Sequence, residues 1–101
     1  MLFLLGRRLA FRVEGDSMAP TLNDGDTVLI MPRANATPGD IVLAKHPYKQ
    51  SVKILKRIAE VDAGSRYKLV GDNLDASTDS RVFGTVSEDD LLGKVVCRLK
   101  A

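Results

Sequence analysis

Short, largely apolar stretches are separated by Gly, Pro and charged positions. Residues 9–13 form one block that ends near Gly15, and residues 27–31 form another that Pro32 stops. Residues 41–44 are stopped by His46-Pro47, residues 51–61 make the longest strand candidate, and 67–70, 82–86 and 94–99 complete the set. Continuous apolar runs of four to five residues, 27–31 and 41–44, suit strands buried on both faces. Residues 1–5 predict a first strand or ordered arm. Only residues 87–92 read as helical: Ser87 can cap, Glu88, Asp89 and Asp90 fill the first turn, and Gly93 ends it. The pattern predicts an all-β fold, a small coiled β-barrel or sandwich of about seven short strands with one short helical turn. Gly25-Asp26 and Gly39-Asp40 each open an apolar block, which predicts one turn chemistry used twice.

Length changes this picture little: 101 residues make one domain, 1–101. Composition excludes several classes. Hydrophobic residues at 45% and charged residues at 28% argue against disorder and collagen-like repeats. The net charge of +2 comes from interspersed charges, and there is no Trp, so neither a basic stripe nor a base-stacking platform points to nucleic acid. The single cysteine, Cys97, makes neither an internal disulfide nor a zinc site, and a reducing, cytoplasmic location is expected. No apolar run approaches the roughly 18 residues of a membrane span, so no transmembrane anchor is expected. The five apolar residues at the start precede Arg7-Arg8, the reverse of a secretory signal, which leaves a peripheral membrane contact through residues 1–8 as the other option.

Three segments carry candidate chemistry. In Gly15-Asp16-Ser17-Met18-Ala19-Pro20-Thr21-Leu22, a serine follows a strand end and precedes a Pro-constrained turn. A serine hydroxyl needs a base to become a nucleophile. His46, the sole histidine, sits at a strand end beside Pro47 and reads as a turn or surface residue, so a Ser-His-Asp triad has little support. Lysine is the better base. Strand alternation over 51–61 puts Val52, Ile54, Lys56 and Ile58 on one face and Lys53, Leu55, Arg57 and Ala59 on the other. Lys56 then lies between two β-branched residues, where desolvation lowers the pKa of an ammonium and makes a neutral amine available as a general base. The alternative is a lysine that reaches water from a strand edge. The third segment, residues 71–84, gathers Asp72, Asn73, Ser77, Asp79 and Arg81 in one loop, able to hold itself rigid through an Asp79–Arg81 pair. Its spacing does not match a calcium-binding loop, and no metal or other cofactor is expected.

Together, Ser17-Met18-Ala19-Pro20-Thr21-Leu22, Lys56-Arg57 and the Gly71-Asp72-Asn73…Ser77-Thr78-Asp79-Ser80-Arg81…Gly84 box resemble the type I signal peptidase family in kind and order. The resemblance implies a serine endopeptidase with a Ser/Lys dyad: Ser17 as nucleophile, Lys56 as base and Ser77 orienting the lysine amine. It implies an Asp79–Arg81 pair bracing the site, with Arg57 and Asp72 near it, and Met18 in the substrate pocket. It also implies an oxyanion hole built from the Ser17 N–H. The family's second donor position falls on Gly15, which has no hydroxyl. The short span between Arg57 and Gly71 leaves no room for the extra β-domain of many signal peptidases. In that, and in His46-Pro47 and residues 76–84, the chain is similar to the nickel-type superoxide dismutase maturation proteases. That likeness implies a precursor partner whose N-terminal leader is removed, nickel superoxide dismutase. The competing readings are a self-cleaving repressor-type Ser/Lys peptidase and a non-catalytic β-barrel that binds a peptide along a strand edge.

Overall fold

The computed structural model describes residues 2–5, 8–32, 35–73 and 84–99. The chain runs through β1 (Leu2–Leu5), β2 (Arg8–Arg12), β3 (Thr27–Pro32), β4 (Ile41–Lys45), β5 (Lys53–Val61), β6 (Arg66–Val70), β7 (Val86–Ser87) and β8 (Leu91–Leu99). These strands form one sheet in the order β1-β2-β3-β8-β4-β5-β6-β7, every neighbouring pair antiparallel. The fold is the all-β architecture that the blocks predict.

The apolar runs explain why the sheet curls rather than lying flat. Alternation along β4 sends Leu43 to a core shared with Val13, Met18, Leu22, Val28, Ile30 and Leu55. Its neighbours Val42 and Ala44 join a second core with Ile58, Leu69 and Val86. β4 is therefore covered on both faces, which a single flat layer cannot achieve. Register shifts at Leu29/Ile30, Leu43/Ala44 and Ile58/Glu60 bend the sheet, since a bulge adds local twist. No helix among the described residues is long and apolar enough to cross a membrane.

The expected helix over 87–92 is cut to a single 3-10 turn, Glu88–Asp90. Ser87 does cap it, its Oγ accepting from the Asp89 N–H at 3.1 Å. Leu91 and Leu92 leave the turn because they pack against the two cores, and Leu91 pairs with Ala44 in the ladder to β4. Gly93 is consequently no helix stop. It lies inside β8 between Pro32 of β3 and Leu43 of β4. A Cβ at this position would collide with Ile30 Cγ2 and sit 2.7 Å from the Met31 carbonyl oxygen, so glycine is what lets three strands meet there. Of the strand expected over 82–86, the described part is Val86, which opens β7.

The repeated Gly-Asp turns are built alike. Gly25 and Gly39 both take positive φ, +90° and +96°. Each aspartate reaches back three residues rather than forward two: Asp26 Oδ2 accepts from the Asn23 N–H at 3.0 Å and Asp40 Oδ2 from the Thr37 N–H at 2.9 Å. Each carboxylate also tethers β8, Asp26 through Arg98 at 2.8 Å and Asp40 through Lys94 at 3.5 Å. Asp40 is held below the usual carboxylate range, first by the Thr37 N–H and then, against partial desolvation, by Lys94 and the Thr37 hydroxyl.

Candidate active site

β5 has one edge only partly covered. β4 pairs with residues 53–57 of it, whereas β6 pairs only with residues 57–61. Among the described residues no strand pairs with that edge of the first half of β5, and the segment after β2 lines the same cavity. Between them lies a cleft of about 370 Å3 whose walls include Phe11, Val13, Ser17, Met18, Leu55 and Lys56. Ser17 and Lys56, distant in sequence, line the same cavity. Lys56 is 4% exposed, which excludes the reading in which it reaches bulk water from the strand edge. Its Cα partner is Val42, and it shares the strand face of Ile54 and Ile58, as alternation requires.

The serine stands in a loop shaped by local chemistry. Gly15 takes φ +83°, a conformation that side chains disfavour, and its N–H donates to Asp24 Oδ1 at 2.8 Å. That donor is thus committed to Asp24 and turned to structural use. No group among the described residues accepts from the Ser17 N–H. The turn is closed by Ala19 N–H to the Asp16 carbonyl at 3.1 Å and Leu22 N–H to the Met18 carbonyl at 2.9 Å. Met18 and Leu22 anchor it in the first core, 1% and 2% exposed.

A second segment clamps this loop onto β5. Asn73 N–H donates to the Ser17 carbonyl at 2.9 Å, and Asn73 Nδ2 to the Asp16 carbonyl at 3.1 Å. Asp72 accepts from Arg57 Nε at 2.8 Å and Arg57 Nη2 at 2.7 Å, a two-pronged pair, and from Thr21 Oγ1 at 2.6 Å. Arg57 Nη1 donates onward to the Gly39 carbonyl at 2.7 Å. One carboxylate therefore ties the strand of Lys56 to the loop of Ser17. Arg57 holds Asp72 below the usual carboxylate range, with Thr21 adding to the effect and partial burial opposing it. Asp72 in turn raises Arg57 above its ordinary value, mainly through the hydrogen bond.

Of the residues expected at the site, Ser17, Lys56 and Met18 meet at the cleft, Gly15 shapes the loop, and Arg57 with Asp72 braces it. Ser77, Asp79 and Arg81 lie outside the described residues. Sequence reasoning gave no role to Thr21 or Asn73, although both fall inside the boxes that carry the resemblance. His46 differs from a plain surface turn residue. It is half-buried, lines the cleft, and accepts from the Tyr48 N–H through Nδ1 at 3.1 Å, which places a neutral ring's proton on Nε2. Lys53, expected to face away from the cleft, also lines it, because the cavity follows a strand edge and so meets side chains of both parities. No cluster of three His, Cys, Asp or Glu side chains among the described residues is arranged to hold a metal ion.

The chain is similar to known peptidases. The Peptidase S24-like family model matches residues 5–96, nearly the whole chain. The mitochondrial inner membrane protease subunit 1 of Xenopus tropicalis is 32% identical over 84% of the chain, and the chain spans 65% of that protein's length. Signal peptidase IB of Staphylococcus aureus is 27% identical over 97% of the chain and 82% of its own length. The latter alignment runs over 156 positions against 101 residues here, so that relative carries insertions. Both relatives are peptidases by name, the likeness supports a function of serine-peptidase type, and the chain belongs to the Peptidase S24-like family.

Proposed function

We propose that the protein is a serine endopeptidase working through a Ser17/Lys56 dyad. The observation that carries this reading is the convergence of Ser17 and a lysine only 4% exposed on one cleft. Burial disfavours the ammonium form, so the Lys56 amine is available to take a proton near neutral pH. In the reaction Lys56 Nζ removes the Ser17 hydroxyl proton as Oγ attacks the scissile carbonyl carbon. The carbonyl electrons move to oxygen, where the Ser17 N–H donates. Collapse of the tetrahedral species breaks the C–N bond, and the Lys56 ammonium returns its proton to the leaving amine. Water, deprotonated by Lys56, then hydrolyses the acyl-Ser17 ester and frees the leader as a carboxylate. The Gly15 N–H serves Asp24, so the second oxyanion donor is another backbone N–H or a water.

The substrate lies extended between the free edge of β5 and the segment after β2, held by main-chain hydrogen bonds as an added strand. Met18 narrows the pocket for the residue before the cut, so that residue is small. In the resemblance stated above, the substrate is the precursor of nickel superoxide dismutase, and the product of cleavage is its mature N-terminus; nickel belongs to that product and not to the peptidase. The resemblance assigns Ser77 to orienting the Lys56 amine and an Asp79–Arg81 pair to bracing the site. The protein acts in the cytoplasm.

The test is to incubate the purified protein with a nickel superoxide dismutase precursor and with a secretory precursor of similar leader length. Cleavage of the first at a single bond, with the second left intact, is the expected result. Equal cleavage of both would retain the peptidase and remove the substrate assignment.

A further inference from the structure

The loop joining β4 to β5, with its flanking strand ends, reads Lys45-His46-Pro47-Tyr48-Lys49-Gln50-Ser51-Val52-Lys53, three lysines and no carboxylate. Lys45 and Lys53 are direct cross-strand partners, an arrangement of like charges that weakens a hairpin. Four other basic side chains find acids: Arg57 with Asp72, Lys68 with Glu60, Lys94 with Asp40 and Arg98 with Asp26, while Arg66 donates to Thr85 instead. No described carboxylate pairs with Lys45, Lys49 or Lys53. Lys49 and Lys53 are exposed, and both line the cleft that holds Ser17. The acid on that cavity's lining, Glu14, comes from the opposite wall, in the segment after β2.

Two lysines without a described carboxylate partner, Lys49 and Lys53, give the hairpin wall of the cleft a positive potential. We infer that the hairpin wall is a subsite for an acidic side chain of the bound peptide, so the substrate carries an Asp or Glu in the stretch lying against Lys49 and Lys53. This rests on the reading of the cleft as a peptide-binding site and adds a specificity that the dyad does not supply. The lysines act through charge at the solvent boundary. Their effect therefore falls on binding rather than on the chemical step, and weakens as salt shortens the reach of the field. An anionic membrane surface is the other partner that basic residues attract; the position of Lys49 and Lys53 on the cleft wall favours the peptide.

The experiment uses peptides spanning a cleaved bond in which Asn, Asp and Lys are placed in turn at each flanking position. Binding to Ser17→Ala protein is read by fluorescence anisotropy and cleavage by wild type through kcat and KM. At one position Asp should bind about fivefold tighter than Asn, the gain appearing in KM and shrinking in high salt. The Lys49→Glu/Lys53→Glu variant should shift the preference to Lys at that same position, and Lys49→Gln/Lys53→Gln should abolish it. Equal binding of Asp, Asn and Lys peptides at every position overturns the inference, as does retention on phosphatidylserine vesicles that needs Lys49 and Lys53 without any peptide preference. An Asp preference in binding with no cleavage by wild type supports the acidic subsite and removes the peptidase instead.

Discussion

Asp72→Ala is the perturbation that best separates a brace from a bystander. It removes three hydrogen bonds at once, two from Arg57 and one from Thr21, and with them the tie between β5 and the Ser17 loop. A hydrogen bond to a charged group is worth about 1.5–3 kcal/mol when shielded from water, whereas an exposed ion pair contributes about 0.2–1 kcal/mol. The Asp72 and Arg57 side chains are 18% and 32% exposed, between those limits. Arg57 also keeps its bond to the Gly39 carbonyl, so it is not left stranded. A loss of about 2–3 kcal/mol follows, which lowers Tm by about 10–20 °C for a domain of this size. Activity should fall further than stability explains, because the serine loop loses its link to the lysine strand. A misplacement near 1 Å costs about a hundredfold in rate. The assay is peptide cleavage at a temperature where thermal melts show wild type and variant both folded. Asp62→Ala serves as the comparison. Asp62 Oδ1 accepts from the Gly64 and Arg66 N–H groups in the β5–β6 turn, so that change should cost about 1 kcal/mol and leave kcat intact. A folded Asp72→Ala protein with wild-type kcat would refute the bracing argument.

Gly93→Ala should destabilise the protein by about 1–3 kcal/mol, read from urea unfolding, because its Cβ has no space beside Ile30 and Met31. Acid should weaken the fold through Asp40 and Asp72. Both are depressed below the unfolded carboxyl value of about 3.9, so their contribution is complete above that value and is lost as pH falls below it. Unfolding free energies between pH 7 and pH 2 should accordingly show a smaller acid loss for Asp72→Asn than for wild type. A cleavage series with Ala, Gly, Leu and Phe before the cut should favour Ala and Gly over Phe and be insensitive to a chelator; equal rates for Ala and Phe would remove the small pocket bounded by Met18.

Most of the strands were legible because Gly, Pro and charged turns bound each apolar stretch, and the continuous runs 27–31 and 41–44 need no other signal. Burial of Lys56 was legible for the same reason: Ile54 and Ile58 fix which face it shares. β8 was harder. Gly93 looks like a helix stop after an acidic, Ser-capped turn, and its actual role, allowing Pro32 and Leu43 to approach one strand from both sides, depends on residues 50 and more positions away. The bulges that curl the sheet leave no mark in the apolar pattern. At the site, alternation assigned Lys53 to the wrong surroundings because it describes faces, and the cleft runs along an edge. Thr21 was passed over since nothing local shows its hydroxyl reaching Asp72, 51 residues on. Asn73 holds the Ser17 loop through its backbone as much as its side chain, a contact no residue type announces.

The central claim is that Ser17 is the nucleophile and Lys56 its base. The most direct measurement is the rate of leader removal from a precursor by wild type, Ser17→Ala and Lys56→Arg proteins of matched circular dichroism, followed across pH by mass spectrometry. Wild type should cleave one bond, with a rate that rises with pH as the Lys56 amine loses its proton. Both variants should be inactive at every pH, since Ala has no hydroxyl and a guanidinium stays protonated. Substantial turnover by either folded variant would contradict the account.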